Sequence, residues 1–398
     1  MGDVLRNVLK EYPCVLLSGP RQVGKTTLIQ NLKESIHREY ISLDDISLRE
    51  QAKNDPKLFL QTYKPPICID EVQYAPELFP YIKMIVDKNQ RSGDFILTGS
   101  QIYRLMRGVS ESLAGRIGIL NMQGISLSET TLLENRPFMP DFEIYQNRKL
   151  KDIMDAPKIF EHIFRGSMPA VVSGKHSNTQ RFYASYVSTY LNRDIRDIAQ
   201  IDEPKFFRFL TACAARSGQI MNTTEISRDA EISLPTAQNW LGILETLGII
   251  FYLHPFSNNL LKKTIKKPKL YFYDTGLVCY LTKWSNSSTL MSGAQAGALF
   301  ETFVVSEVIK TYYNAGLEPF VYYYRDSDMR EIDLMLEQNQ KLYPVEIKKS
   351  ATADKRTVNT FRLIEKSGLQ QGTGGIICLS DRFGSLDENN LVIPIGLI

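Results

Sequence analysis

The sequence has few cysteines and no long apolar segment. Its five cysteines in 398 residues are scattered, odd in number and without Cys-x-x-Cys spacing, which argues against a zinc site or a disulfide framework. No apolar run is long enough to cross a bilayer, and the first residues lack the apolar segment of a secretory signal. We therefore expect a cytoplasmic protein with reduced, mostly buried thiols and no membrane partner.

The chain also has almost no net charge. It contains 47 Lys and Arg against 44 Asp and Glu, a formal net charge of +3. Such a balance does not mark the whole chain as a nucleic-acid-binding protein, so any basic surface has to be local. The sequence shows no internal repeat and no low-complexity tract. Its length and its apolar fraction of 43% are those of two or three globular domains.

Short apolar strands alternate with helical patterns in the first part of the chain. We predict strands at residues 15–18, 40–43, 66–69, 95–98 and 117–122. This alternation is typical of a parallel α/β sheet covered on both faces.

The most informative motif follows the first predicted strand. Residues 19–26 match the G-x-x-x-x-G-K-[ST] phosphate-binding loop, with a strand before it and a helix after it. In such a loop Lys25 reaches the β and γ phosphates, and the Thr26 hydroxyl binds Mg²⁺. We therefore predict ATP and Mg²⁺ as ligands. The predicted nucleotide-binding residues are Gly19, Pro20, Arg21, Gln22, Val23, Gly24, Lys25, Thr26 and Thr27.

Candidate residues for hydrolysis follow the third and fourth predicted strands. The carboxyl ends of parallel strands meet at the edge of the sheet where ligands bind. We expect Asp70 to hold Mg²⁺ and Glu71 to orient the attacking water. Ser100 is our first choice for a contact with the γ phosphate or the water, and Thr98 is the second. A simple turn after the strand is the alternative.

Arg116, just before the fifth predicted strand, is the candidate for stabilising charge in the transition state. It could act in its own chain or on the nucleotide of a neighbouring subunit. The alternative is a surface arginine that pairs with a nearby acid. Arg104, Arg107 and Arg193 are weaker candidates.

A second acidic pattern lies on two predicted strands near the C-terminus. Asp333 is on one strand, and Glu346 and Lys348 share a face of the next, after a connection short enough for a hairpin. This is the arrangement of the PD-(D/E)xK restriction-endonuclease-like fold, in which two carboxylates hold Mg²⁺ and the lysine helps to activate water. The alternative is a hairpin with cross-strand charge pairs and no metal.

Residues 219–275 have the pattern of a winged helix. Two short helices precede a predicted hairpin of residues 249–253 and 269–273. Gln238 and Asn239 on the second helix could reach DNA bases. The hairpin tip could contact phosphates through its basic residues Lys262, Lys263, Lys266 and Lys267. The alternative is a protein-binding module, because the second helix carries no Lys or Arg.

Together these motifs resemble the AAA-type ATPase core of a large prokaryotic family whose C-terminal half is a domain of unknown function. The resemblance covers nearly the whole chain. It rests on residues 19–27, 69–73, 97–100, 112–116, 190–195, 268–277, 300–301, 331–333 and 346–348. It implies an ATPase core, a winged helix and a nuclease-like module, with Glu301 as a further acidic residue of the nuclease-like site.

We therefore predict an α/β fold in which a parallel-sheet P-loop core precedes a helical and winged-helix region and a small endonuclease-like domain. The Ser- and Gly-rich residues 284–297 predict a linker. The predicted domains are 1–125 (ATPase), 126–200 (helical connector), 201–283 (winged helix) and 284–398 (nuclease-like).

Two main functions fit these predictions, and a weaker third one is a regulator that binds one DNA operator through the winged helix. The leading hypothesis is Mg²⁺-dependent ATP hydrolysis coupled to binding or processing of double-stranded DNA. The alternative is a nucleotide-controlled switch, in which an inactive nuclease-like module binds a protein partner or a second copy of the chain.

Overall fold

The computed structural model describes residues 1–36, 38–100, 112–149, 154–191, 202–257 and 267–398. The chain divides into two compact units. The first contains Met1–Gly124, Leu244–Gly248 and Tyr313–Leu317, and the second contains Ile125–Ile243, Ile249–Tyr312 and Glu318–Ile398. The four-domain division stays a prediction. None of the helices in the described part of the chain combines the length and the apolar character needed to cross a bilayer.

A five-stranded parallel sheet forms the centre of the first unit. Its strands are β1 (Cys14–Ser18), β2 (Glu39–Ser42), β3 (Ile67–Asp70), β4 (Phe95–Gly99) and β5 (Ile117–Asn121). Their spatial order is β2-β3-β4-β1-β5, and every neighbouring pair is parallel. The predicted parallel α/β sheet is confirmed. Only β4 separates β1, which leads into the phosphate loop, from β3, which ends in the acidic pair.

Apolar side chains cover both faces of this sheet. Leu16 packs in one cluster with Phe79, whereas Val15 and Leu17 pack in a second cluster with Ile29. Successive residues of a strand point to opposite faces, so a strand between two cores has to be apolar throughout. The helices of this part of the chain are α1 (Gly2–Glu11), α2 (Lys25–Ile36), α3 (Ile46–Asn54), α4 (Pro56–Thr62) and α5 (Leu78–Asn89).

Beyond the first sheet, helices predominate in the described residues as far as Tyr313. Its helices are α6 (Leu127–Thr131), α7 (Phe142–Gln146), α8 (Ala156–Arg165), α9 (Pro169–Val172), α10 (Thr179–Ser185), α11 (Glu203–Ala214), α12 (Thr223–Asp229), α13 (Leu234–Thr246), α14 (Thr275–Leu281), α15 (Ser287–Ser292) and α16 (Ala296–Tyr313). A π-helical segment, Tyr186–Leu191, follows α10.

Helix α15 lies inside residues 284–297, so the linker predicted there was wrong. The Asn286 side chain accepts a hydrogen bond from the Thr289 N–H at 2.9 Å and so caps the helix. Leu290 is fully buried. The prediction relied on polar composition alone, whereas the buried Leu290 and the Asn286 cap stabilise a helix in this segment.

The second sheet has three short antiparallel strands. These are β6 (Gln219–Ile220), β7 (Ile250–Leu253) and β8 (Lys269–Phe272), with β8 in the middle. The predicted hairpin of β7 and β8 is confirmed. Trp240 of α13 packs edge-on against Phe206 and Phe209 of α11, with ring centroids 5.3 Å apart in both pairs. These contacts join α11 and α13 in one core.

The third sheet is mixed. Its strands are β9 (Val321–Arg325), β10 (Glu331–Gln338), β11 (Lys341–Lys348), β12 (Gln370–Gln371), β13 (Gly374–Cys378), β14 (Gly384–Ser385) and β15 (Asn390–Pro394). The order is β14-β15-β13-β11-β10-β9, and β12 also pairs with β11. Strands β9, β10 and β11 are antiparallel neighbours, whereas β13 runs parallel to β11. Two 3₁₀ helices, Lys355–Ser367 and Ile395–Leu397, complete this region.

A tight turn sets the register of β10 and β11. Asn339 and Gln340 have φ values of 51° and 61°, and two positive φ values are typical of the two-residue turns whose twist matches a hairpin. Leu334 pairs with Val345 in this register. Asp333 and Glu346 are the next residues along the two strands, so the hairpin brings them together.

Candidate functional site

Three positive φ values shape the phosphate loop between β1 and α2. They are 150° at Gly19, 65° at Gln22 and 98° at Gly24. Glycine adopts such values at little cost, because it has no β-carbon. A β-carbon on Gly19 would overlap with the carbonyl oxygen of Met122. The loop therefore needs its first glycine for both conformation and space.

Lys25 places a positive charge inside this loop. It is the first residue of α2, and only 6% of its surface is exposed. Its ammonium donates hydrogen bonds to the carbonyl oxygens of Gly19 and Pro20, both at 2.8 Å. The N-terminus of a helix adds the positive end of a dipole. The loop is therefore suited to an anionic group such as a phosphate.

Three hydroxyl groups hold the carboxylate of Asp70 at the end of β3. Asp70 Oδ2 accepts hydrogen bonds from Thr26 at 3.0 Å and from Tyr40 at 2.5 Å, and Oδ1 accepts one from Thr98. Burial, together with the bond to Asp70, raises the pKa of the Tyr40 phenol, which therefore remains a donor at physiological pH. Asp70 and the phosphate-loop residue Thr26 are thus direct neighbours.

Glu71 leaves the strand in a left-handed conformation, with φ 56°. Such values are uncommon outside glycine and tend to occur at functional sites. The Glu71 N–H donates to Thr98 Oγ1 at 3.3 Å, and Glu71 Oε2 accepts from Ser100 Oγ at 3.4 Å and from the Gln73 amide. Both candidates at the end of β4 therefore contact the acidic pair: Thr98 contacts Asp70, and Ser100 contacts Glu71.

Arg116 lies at the amino end of the strands of this sheet, opposite the end that carries the phosphate loop. Ile117, which follows it, pairs with Cys14 at the start of β1, whereas the phosphate loop follows the end of β1. A strand of five residues spans about 16 Å. The guanidinium forms a two-pronged ion pair with Asp87, at 2.5 Å and 3.2 Å. The structure thus shows the local ion pair and no approach to the chain's own phosphate loop; action on another copy's nucleotide stays a prediction.

Several other candidates are exposed or lie outside the described residues. Gln238, Asn239 and Lys267 are exposed to solvent. The structure does not describe the weaker arginine candidates or the other lysines of the hairpin tip, namely Arg104, Arg107, Arg193, Lys262, Lys263 and Lys266.

The C-terminal acidic residues lie close together on β10 and β11. Lys348 Nζ lies 2.6 Å from Glu346 Oε2 and 3.3 Å from Asp333 Oδ2. Asp333 Oδ2 also accepts the N–H of Ile347 at 2.8 Å, and Glu346 Oε1 accepts a hydrogen bond from Thr360 at 3.1 Å. The predicted trio is therefore assembled, with the lysine ammonium between the two carboxylates.

Glu301 of α16 has different partners. Its Oε1 accepts hydrogen bonds from Lys269 Nζ at 2.9 Å and from the Tyr271 hydroxyl at 2.7 Å. Lys269 Nζ also lies 2.6 Å from Glu331 Oε1. Within the described ranges, no three His, Cys, Asp or Glu side chains are arranged to hold a metal ion. Glu301 is thus near the predicted acidic site, but its carboxylate is directed to Lys269.

Burial dominates the electrostatics of this acidic site. Burial, and then the charge of Asp333, raises the pKa of Glu346 to about 8. Burial also raises the pKa of Glu301, although Lys269 offsets part of the effect. Burial opposes the charge on Lys348, yet the neighbouring carboxylates raise its pKa. The pKa values of Lys269 and Lys348 are both raised, so these side chains remain charged. Glu346 is largely protonated near neutral pH.

Sequence reasoning missed Tyr40 and Lys269. Each is the first residue of a predicted strand and has a long side chain that ends in a polar group, and this was the only signal in the sequence. Pairing decides what each group meets: β2 lies beside β3 and so brings Tyr40 to Asp70. Lys269 meets Glu301 across a separation of 32 residues, which no local pattern predicts.

Three family descriptions match this chain. Residues 11–131 match an AAA domain. Residues 156–288 and 296–398 each match a domain of unknown function, DUF8612 and DUF4143.

The chain is also similar to curated proteins and solved structures. An uncharacterized protein of Mycobacterium tuberculosis is 28% identical over 87% of this chain and 73% of its own length. An uncharacterized protein of Methanocaldococcus jannaschii is 22% identical over 76% of this chain and 70% of its own length.

Among solved structures, the Walker-type ATPase PABY2304 of Pyrococcus abyssi matches with a TM-score of 0.44 at 15% identity, over 70% of this chain and 94% of that one. The Thermotoga maritima RuvB Holliday junction branch migration motor matches with a TM-score of 0.31 at 17% identity, over 63% of this chain and 88% of that one. Residues 11–131 are thus similar to an AAA domain, and this match agrees with the parallel sheet and the phosphate loop of the structure.

Proposed function

We propose that the chain binds ATP with Mg²⁺ and hydrolyses it at the carboxyl edge of the parallel sheet. The observation that carries this proposal is the 3.0 Å hydrogen bond between Thr26 of the phosphate loop and Asp70 of β3. It joins the two groups that a magnesium–nucleotide complex requires. A carboxylate and a hydroxyl are hard oxygen ligands and suit Mg²⁺. Thr26 and Asp70 would hold the Mg²⁺, which would neutralise part of the phosphate charge.

Each residue of the site has a defined task in this proposal. The loop from Gly19 to Thr27 surrounds the phosphates, and Lys25 binds the β and γ phosphates. Glu71 orients the attacking water and accepts its proton as the general base. The 3.4 Å contact between Ser100 and Glu71 supports Ser100 as the residue that aligns this carboxylate or touches the γ phosphate.

The test measures ATP binding and turnover separately. Glu71→Gln should bind ATP but lose about 100-fold or more of its turnover, because it removes the base and keeps the side-chain shape. Lys25→Ala should lose binding. Glu77→Gln, an exposed carboxylate on the following segment, is the matched control. Wild-type turnover in Glu71→Gln would refute the role of Glu71.

We further propose that residues 201–283 act as a winged helix that contacts double-stranded DNA. The chain order α11-β6-α12-α13-β7-β8, with β8 in the centre of the sheet, supports this fold. The exposed amides of Gln238 and Asn239 support groove contact, but α13 carries no cation. Sequence-independent DNA binding that weakens with added salt is the expected result.

The acidic residues of β10 and β11 are proposed to process DNA in the manner of a nuclease. The hairpin that joins Asp333 to Glu346 and Lys348 supports this proposal. Asp333→Asn should abolish Mn²⁺-dependent cleavage of linear, nicked or single-stranded DNA, whereas Glu337→Gln on the same strand should not.

The alternative function is a nucleotide-controlled switch with a protein partner or a second copy of the chain. The bond between Glu301 and Lys269 favours it, because it takes one carboxylate away from metal binding. No cleavage of any DNA form, with turnover insensitive to DNA and assembly that depends on ATP, would support the switch over DNA processing.

A further inference from the structure

The bond between Lys269 and Glu301 belongs to a charge cluster in which the lysine is buried and the carboxylates are partly buried. Lys269 is 4% exposed, and its ammonium lies 2.9 Å from Glu301 Oε1 and 2.6 Å from Glu331 Oε1. It also lies over the ring of Tyr323, 5.7 Å from the centroid. One ammonium therefore joins two carboxylates that come from a helix and a strand distant in sequence.

The strands direct these groups toward the acidic site. Lys269 and Tyr271 alternate along β8, so they share a face and both reach Glu301. Glu331 and Asp333 alternate in the same way along β10. Glu301 and Glu331 contact Lys269, and Asp333 and Glu346 contact Lys348. The two sets are neighbours, because the charge of Asp333 affects the pKa of both Lys269 and Glu301.

We propose that Lys269 is the fixed cation of this cluster and takes the place of a metal ion at Glu301. A divalent cation bound there would then have only Asp333 and Glu346 as carboxylate ligands, so the site is a one-metal site and not a two-metal site. The part of this inference that concerns a metal at Asp333 and Glu346 rests on the proposed nuclease-like function. The role of Lys269 does not depend on that function.

The free-energy cost of burying charged groups explains this role of Lys269. Glu301 and Glu331 are partly buried and lose part of their solvation, and an ammonium placed between them offsets this cost. A lysine on a neighbouring strand supplies that cation without any metal. A divalent ion at Glu301 would place a second positive charge beside the ammonium of Lys269, whose side chain is 5% exposed and cannot turn out to solvent. Lys269 therefore excludes the metal at Glu301, whereas Lys348, whose side chain is 42% exposed, can turn into solvent when an ion binds Asp333 and Glu346.

Mn²⁺ binding to the full-length, nucleotide-free chain tests this inference, with bound ions counted by electron paramagnetic resonance. Every variant carries Asp70→Asn, which weakens the site at the phosphate loop. Glu301→Gln keeps a hydrogen-bond acceptor for Lys269 and Tyr271 and should leave the number and affinity of bound Mn²⁺ ions unchanged. Lys269→Met should gain one Mn²⁺ ion, and Lys269→Met with Glu301→Gln should lose that gain.

Two results would overturn the role of Lys269. One is a tenfold or greater loss of Mn²⁺ affinity in Glu301→Gln, which would make Glu301 a metal ligand. The other is folded Lys269→Met, checked by near-ultraviolet circular dichroism, that binds no additional ion. If Lys269→Met does not fold, Glu301→Gln alone decides.

A separate experiment tests the proposed nuclease-like metal site. In the presence of Lys269, Asp333→Asn should remove the bound Mn²⁺ ion. Unchanged Mn²⁺ binding in Asp333→Asn would refute the metal at Asp333 and Glu346. A Glu301-dependent gain in Lys269→Met would still support the fixed cation.

Discussion

Replacing Tyr40 by Phe removes the oxygen atom that hydrogen-bonds to Asp70, the proposed magnesium ligand. The Tyr40 hydroxyl lies 2.5 Å from Asp70 Oδ2, the same oxygen that accepts the Thr26 hydroxyl. The aromatic ring stays, so the half-buried packing of β2 is kept. The substitution therefore isolates the hydrogen bond that orients the carboxylate.

The size of the effect follows from the partners that Asp70 keeps. A hydrogen bond to a charged group contributes about 1.5–3 kcal/mol. Asp70 retains the hydroxyls of Thr26 and Thr98, so we expect the lower end, about 1.5 kcal/mol. Since about 1.4 kcal/mol equals a factor of ten, the Mg²⁺ concentration for half-maximal turnover should rise about tenfold.

The assay combines two titrations. Turnover is measured against Mg²⁺ at saturating ATP, and a fluorescent ADP analogue reports nucleotide affinity with and without Mg²⁺. Tyr40→Phe should weaken only the Mg²⁺-dependent part of nucleotide binding. Tyr12→Phe is the matched control, because Tyr12 lies two residues before the start of β1, whereas the phosphate loop follows the end of β1. An unchanged or stronger Mg²⁺ response in Tyr40→Phe would refute the positioning role of this hydroxyl.

Three further predictions concern the loop, the arginine and the acidic site. Gly19→Ala should lower the free energy of unfolding by more than about 1 kcal/mol in urea titrations and weaken ATP binding, because its positive φ and the Met122 carbonyl leave no room for a β-carbon. Arg116→Ala and Asp87→Ala should destabilise the fold equally and only slightly, since their ion pair is largely exposed; a loss of turnover in Arg116→Ala alone, steeper at high protein concentration, would indicate action on a neighbouring copy. Glu346 has its pKa raised to about 8 from 4.5 by burial and Asp333, so its protonated form stabilises the fold, and this contribution is lost as the pH rises through that range. With EDTA present, the wild-type protein should therefore lose more unfolding free energy between about pH 5 and about pH 8 than Glu346→Gln, by on the order of a few kcal/mol; equal pH dependence would contradict the raised pKa.

Much of the first unit was predictable because its signals are local. Each strand of the parallel sheet is a short apolar run, and the phosphate loop has fixed glycine and lysine positions. The hairpin of β10 and β11 was predictable for the same reason, since alternation and a short connection specify it. The helix α15 was missed because its two determinants, Asn286 as cap and Leu290 as anchor, are single residues in a polar segment.

Partners distant in sequence were not predictable. Arg116 is adjacent to β5 in sequence, but the parallel register places it at the edge opposite the phosphate loop, beside Asp87. Glu301 was expected among the metal ligands, yet β8 brings Lys269 and Tyr271 to its carboxylate. In both cases the sequence identified a residue of suitable chemistry, but the neighbours that the fold brings to it determine which group it binds.

The sequence by itself determined the parallel sheet, the phosphate loop and the residue types available for chemistry, because backbone periodicity and the steric freedom of glycine act within a few residues. Only the tertiary structure decided which charges meet. The strand order brings the hydroxyls of Thr26, Tyr40 and Thr98 to Asp70, and burial makes each charge depend on the nearest opposite charge. The range of electrostatic interactions is set by distance in space, and chain folding fixes that distance without reference to distance in sequence.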